Sequence, residues 1–148
     1  EAIIPIQLEE QAFALLRDRL PGFYVPDRDE KRQVRSWLNI SDHFRSAFDA
    51  LLLKVEGFKQ IQSPADFAMV EIKVTGNSYQ TWQMTHVIFF GITENEEMLL
   101  KVFGQNASLC LVSVNPESEG YFLADWDTFQ GMNMNKRIQY QISVRNLR

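Results

Sequence analysis

Phe67-Ala68-Met69-Val70-Glu71-Ile72-Lys73-Val74-Thr75 is the stretch that decides how this chain folds. It is rich in strand-forming residues and ends before the turn signal Gly76-Asn77, so it predicts a β-strand. Side chains alternate across a strand. Val70, Ile72 and Val74 therefore point into a core, and Glu71 and Lys73 share the opposite side with Met69 and Thr75. A carboxylate and an ammonium on a mid-sheet strand are costly to bury without a partner or a purpose.

Upstream, residues 47–55 form an apolar run of strand length, punctuated by Gly57. Asp49 is the lone charge in it between Arg45 and Lys54. Further back, Leu8, Ala12, Leu15, Leu16 and Leu20 follow helical spacing and predict a helix from Gln7 to Leu20, stopped by Pro21-Gly22. At 100° per residue Glu9 falls inside that apolar arc and Glu10 outside it. Phe23-Tyr24-Val25 reads as a short strand, and the charged stretch Pro26–Arg35 as a loop. Trp37–Phe44 fits no single pattern.

Downstream, Thr85–Ile92 reads as a strand or a buried connection. Thr93-Glu94-Asn95-Glu96 is a capping box that opens a helix to about Phe103, with Gly104 as its stop. The acids at 94, 96 and 97 are explained there by the helix dipole, not as ligands. Leu109–Val114 and Tyr121–Leu123 predict two paired strands. Asp125–Phe129 suggests a short helical turn. Ile138, Tyr140, Ile142 and Val144 alternate with polar residues and predict a half-buried strand. Together these elements predict one α+β (mixed α/β) domain over residues 1–148, with a single sheet and few helices.

Composition narrows the function. The chain has 148 residues, 45% of them hydrophobic and 23% charged, which excludes disorder, collagen and a disulfide scaffold. The uncharged apolar runs, Val87–Gly91 among them, are too short to span a bilayer. One cysteine, Cys110, permits no internal disulfide and suggests a reducing, cytoplasmic setting. It sits in an apolar run and reads as an inert core thiol. His43 and His86 lack further ligands at zinc spacing. The net charge of −4 argues against a general nucleic-acid coat protein. The charge is uneven, however. Arg28, Lys31, Arg32, Arg35 and Arg45 oppose three acids between positions 28 and 45, and residues 136–148 carry four basic residues and no acid. The first group, with Trp37 and Phe44, has the residue types that contact phosphates and stack on bases, though such a stretch also suits a solvated loop.

Asp49, Glu71, Lys73 and Glu9 are then four ionisable groups directed into one domain. Carboxylates in such a cluster bind hard divalent cations such as Mg²⁺ through oxygen. The cation polarises a phosphoryl oxygen and lowers the pKa of water. A nearby ammonium stabilises developing negative charge.

Asp49 followed by Glu71-Ile72-Lys73 on the next strand resembles the PD-(D/E)xK nuclease superfamily. The helix carrying Glu9 is similar to the acid-bearing first helix of Holliday-junction resolvases. Val70–Thr75, with Ile92–Glu96, resembles the C-terminal domain of NO VEIN-type proteins, grouped with that superfamily. Phe48 stands where the superfamily often has Pro. The resemblance spans Gln7 to Val114. It implies a restriction-endonuclease-like central mixed sheet flanked by helices, and Mg²⁺-dependent hydrolysis of DNA, with Mn²⁺ able to substitute. Asp49, Glu71 and the Ile72 carbonyl would hold the metal, Lys73 would assist the water or the transition state, and Glu9 would complete the site. A homodimer or higher homo-oligomer would suit cutting of both strands. Two other readings remain open. One is a non-catalytic nucleic-acid or protein interaction module that keeps the fold. The other is an unrelated α+β binding protein with Glu71 and Lys73 on a solvent face.

Overall fold

A computed structural model describes residues 5–41, 48–85, 90–131 and 142–145. The first helix, α1 (Pro5–Arg19), leads to a short strand, β1 (Phe23–Tyr24). Gly22 makes the turn between them at φ +82°, a region open to glycine. A Cβ there would meet the Leu53 carbonyl oxygen at 2.2 Å, so the turn also needs glycine for its close approach to the next strand.

The charged segment after β1 is a helix, α2 (Arg28–Trp37), not the loop its composition suggests. Asp27 caps it. Its carboxylate accepts from Glu30 N–H, and Glu30 accepts from Asp27 N–H in return. One apolar residue, Val34, is fully buried and ties α2 to the core.

β2 is Ala50–Leu53, shorter than the predicted 47–55 strand, and Asp49 lies just before it. Two 3₁₀ turns, Phe58–Gln60 and Pro64–Asp66, lead into β3 (Phe67–Thr75), the strand expected. A short helix, α3 (Tyr79–Thr85), follows where no element was expected until Thr85. Of the stretch 85–92, residues 86–89 lie outside the described residues, and residues 90–92 form neither strand nor helix. Helix α4 (Glu94–Phe103) starts at the Thr93 capping box and ends at Gly104, as the sequence predicts. β4 (Ala107–Asn115) and β5 (Ser118–Ala124) form a hairpin, and α5 (Trp126–Gly131) follows. The strand expected over 138–144 falls mostly outside the described residues. Its described end is not strand, and Ile142 and Val144 are exposed.

The sheet runs β1-β2-β3-β4-β5. β1, β2 and β3 pair antiparallel in succession. β3 and β4 pair parallel, joined by a crossover through α3 and α4. β4 and β5 are antiparallel again. The protein therefore has an α+β fold with a central mixed sheet flanked by helices. α1 covers one face, where Leu16, Val70, Ile72 and Val112 pack together. On the other face Met69, Leu109 and Leu111 pack against Val34, Leu100 and Phe129 from α2, α4 and α5. β4 is buried on both faces from Ala107 to Val114, as suits a central strand with parallel pairing. Cys110 lies in the α1-side core as expected, and burial pushes its thiol up to about 12.

Candidate active site

The site forms where β2 stops. β2 pairs with β3 only over residues 67–70, so β3 continues past it from Glu71 to Thr75. Asp49 fills the first step of that gap. Its N–H donates to the Val70 carbonyl at 2.8 Å, extending the ladder by one bond. Its carboxylate Oδ2 then accepts from Ile72 N–H at 2.9 Å. Within a strand, the N–H and C=O of one residue leave on the same side. The Ile72 carbonyl therefore leaves from the same edge as the N–H that Asp49 holds. A cleft of about 300 Å³ opens here, lined by Leu8, Glu9, Phe13, Asp49, Glu71, Ile72 and Val74.

Strand parity puts Glu71 and Lys73 on the face that carries Met69, as the sequence predicts. They are not on a solvent face. The start of α4 packs over them, and their side chains are only 12% and 23% exposed. Lys73 Nζ lies 3.6 Å from Glu71 Oε1. It donates to both oxygens of Glu96, at 2.8 and 2.9 Å. Glu96 is the residue that sequence reasoning missed. Its capping role is real, since its carboxylate accepts from Thr93 N–H at 2.8 Å, but the same carboxylate also grips Lys73. The capping box already accounted for Glu96, and no local pattern links it to a lysine 23 positions earlier.

Three carboxylates and one ammonium thus meet in a partly desolvated place. Burial raises Asp49 above the usual carboxylate range, opposed by the Ile72 N–H bond and by the charges of Lys31 and Lys73. Burial, a hydrogen bond with Glu96, and the charges of Asp49 and Glu96 push Glu71 up to about 10. Burial also works against ionised Glu96. Its hydrogen bonds with Glu71, Lys73 and Thr93 outweigh that and hold it at about 2. The surroundings thus favour a protonated Glu71 beside an ionised Glu96. Glu71 Oε2 is buried with no hydrogen-bond partner.

Glu9 is corrected by the structure. It is exposed, not turned into the core, because it sits at the edge of the α1 stripe, and it lines the cleft with Asp49 and Glu71. Arg28, Lys31, Arg32 and Arg35 fall at i, i+3, i+4 and i+7 on α2, so the helix gathers them on one face. Lys31 comes closest to the site, with its ammonium 5.9 Å from the Phe48 ring centre. Arg32 pairs with Asp29 at 3.5 Å in an exposed setting. Arg45, His43, Phe44 and His86 lie outside the described residues.

The donor set bears on whether a metal fits. Among the described residues, no group of three or more His, Cys, Asp or Glu is arranged to hold a metal ion. Asp49, Glu71 and the Ile72 carbonyl offer two carboxylates and a backbone oxygen. That is enough for Mg²⁺, which usually takes one or two carboxylates and keeps several waters. The orphaned Glu71 Oε2 is a buried oxygen suited to a hard cation. Softer metals have no nitrogen or sulfur ligand here.

No known protein family, curated protein or solved structure matches this chain. Among the described residues no helix is long and apolar enough to cross a membrane.

Proposed function

We propose that this protein is a metal-dependent endonuclease that hydrolyses phosphodiester bonds in DNA, with a restriction-endonuclease-like fold. One observation carries the reading. Asp49, Glu71 and the edge of β3 at Ile72 line one cleft, the Asp49 carboxylate accepts from Ile72 N–H, and the Lys73 ammonium lies 3.6 Å from Glu71. Asp49, Glu71 and the Ile72 carbonyl would hold Mg²⁺, with Mn²⁺ as a substitute, and Glu9 lines the same cleft. When bound, the cation lowers the pKa of water and neutralises charge on the phosphoryl oxygens.

The chain's own groups do the rest. The Lys73 ammonium stabilises negative charge as water adds to phosphorus and one P–O ester bond breaks. Glu96 keeps that ammonium in place. The α2 stripe of Arg28, Lys31, Arg32 and Arg35 lies along one helix face and supplies sequence-independent phosphate contacts. A homo-oligomer would bring two such sites to the two strands of a duplex.

A second reading is a non-catalytic interaction module on the same fold. The Asp49 bond to Ile72 N–H favours it, because that bond gives Asp49 a structural role without any cation. Calorimetric titration with Mn²⁺ separates the two. The expected result is binding by the wild type that is lost in Asp49→Asn and weakened in Glu71→Gln. A wild type that gives no Mn²⁺ heat contradicts the metal site and leaves the interaction module.

A further inference from the structure

We propose that a second pocket, bounded by Lys73, takes a single DNA base turned out of its stack; the inference rests on the proposed DNA substrate. The pocket lies at the carboxyl end of β3, where the crossover to β4 begins. Residues 73–75 of β3 and Leu111 of β4 line it, with Trp82 of α3 and Phe90 and Gly91 from the segment before α4. In open sheets with helical crossovers, the carboxyl ends of parallel strands are where ligands bind. The parallel register sets Lys73 beside Leu111, and parity puts Thr75 on the same face.

The lining selects the ligand. The volume is about 170 Å³, below the roughly 300 Å³ at which pockets for drug-sized molecules begin. That space suits one small ring system. Trp82, Phe90 and Leu111 give it aromatic and apolar walls. The polar side chains are donors. Lys73 can only donate. Thr75 Oγ1 already accepts from Asn77 N–H at 3.1 Å, which leaves its O–H to donate. A flat ring with apolar faces and acceptors on its edge fits both properties, and a pyrimidine base with its carbonyl oxygens is such a ring. Bases turned out of a duplex are held in this way, between aromatic or apolar side chains and read at the edge.

The Trp82 wall is held in place by the strands beyond it. Its ring meets Tyr79 edge-on, with centroids 5.7 Å apart. Tyr79 in turn packs on Gly120 of β5, in the space that a Cβ would take. The Ser113 hydroxyl donates to the Asn77 carbonyl, and Asn115 Nδ2 donates to the Gly76 carbonyl at 2.9 Å, so β4 fixes the turn from β3 into α3. The pocket is also close to the proposed chemistry. Lys73 follows Glu71 by two strand residues, about 6.6 Å, so a base seated there brings its own backbone to the proposed reaction centre.

The test is binding of fluorescein-labelled duplexes, followed by anisotropy in chelator at fixed salt, so that no cation takes part. One duplex carries a single bulged thymine. A second carries an abasic site at the same bulge, which keeps the backbone and removes the base. The wild type is expected to bind the thymine bulge about tenfold more tightly than the abasic one. Gly91→Leu grows a side chain from the pocket wall, and among the described residues nothing lies within 4 Å of where its Cβ would stand. It is expected to erase that preference. Thr75→Val removes the hydroxyl donor and is expected to reduce the preference by about threefold. Equal binding of the two bulges by the wild type, or a preference that survives Gly91→Leu, overturns the inference and leaves the cation site standing. A wild type that binds neither duplex overturns the DNA reading and this inference with it. Should Gly91→Leu fail to fold, Thr75→Val decides, and an undiminished preference there overturns the inference.

Discussion

At Asp49 a side chain takes over from a strand. Its carboxylate satisfies Ile72 N–H where β2 has ended, and burial raises its pKa. Asparagine keeps an acceptor for that N–H and removes a charge that burial, and the Glu96 carboxylate, disfavour. Asp49→Asn is therefore expected to melt at or above the wild-type temperature in chelator at pH 7. Asp49→Ala strands a part-buried N–H and is expected to lose about 1–3 kcal/mol in denaturant unfolding. Equal losses in both would mean that the acid itself, not its acceptor oxygen, holds the edge. Glu71 gives a pH signature. Its folded pKa of about 10 lies above the ordinary 4.5. The protonated carboxyl therefore contributes in full below pH 4.5, and its contribution is lost as pH rises toward 10. Glu71→Gln, which mimics the protonated form, is expected to gain stability over wild type steadily from pH 5 to pH 9. A constant gap across that range would show that Glu71 is ionised in the folded protein.

At the scale of elements, α2 shows what sequence reading can and cannot reach. Its composition is that of a loop because Val34 alone among its residues is fully buried, with Trp37 stacking on Phe58 at its end. The local signal was nevertheless present: Asp27 and Glu30 form the same capping box that located α4 from Thr93 and Glu96. Asp27→Ala is expected to cost about 1 kcal/mol of global stability. No loss would mean that packing of Val34 and Trp37 holds the helix unaided. β3 and α4 were legible because period and punctuation agreed. The length of β2 was not, since the apolar run from Phe48 to Leu53 looks uniform and only the pairing with β3 shows where the ladder ends. The site was half legible for related reasons. Parity on β3 placed Glu71 and Lys73 together. Glu9 lines the cleft but is exposed instead of core-facing, because it sits at the edge of the α1 stripe. Glu96 was missed because its contact is tertiary.

At the scale of the whole molecule, the proposed activity requires an acidic protein to approach a polyanion. The net charge of −4 opposes it, so the proposed DNA binding would be carried by a local face. The α2 stripe is the best candidate among the described residues. Each phosphate contact contributes about −0.9 to the slope of log affinity against log salt. Lys31→Ala with Arg35→Ala is accordingly expected to reduce that slope by about 2 on any duplex. An unchanged slope would move the DNA contact away from α2. The central claim is that the cleft beside β3 performs chemistry. The most direct measurement is cleavage of a mixed pool of plasmid and branched DNA, with Mg²⁺ or Mn²⁺ against a chelator, by wild type, Glu71→Ala and Lys73→Ala side by side. The expected result is cutting by the wild type with either metal, none in chelator, and loss in both variants. Cutting that survives both substitutions, or a wild type that leaves every substrate intact with metal present, would contradict it.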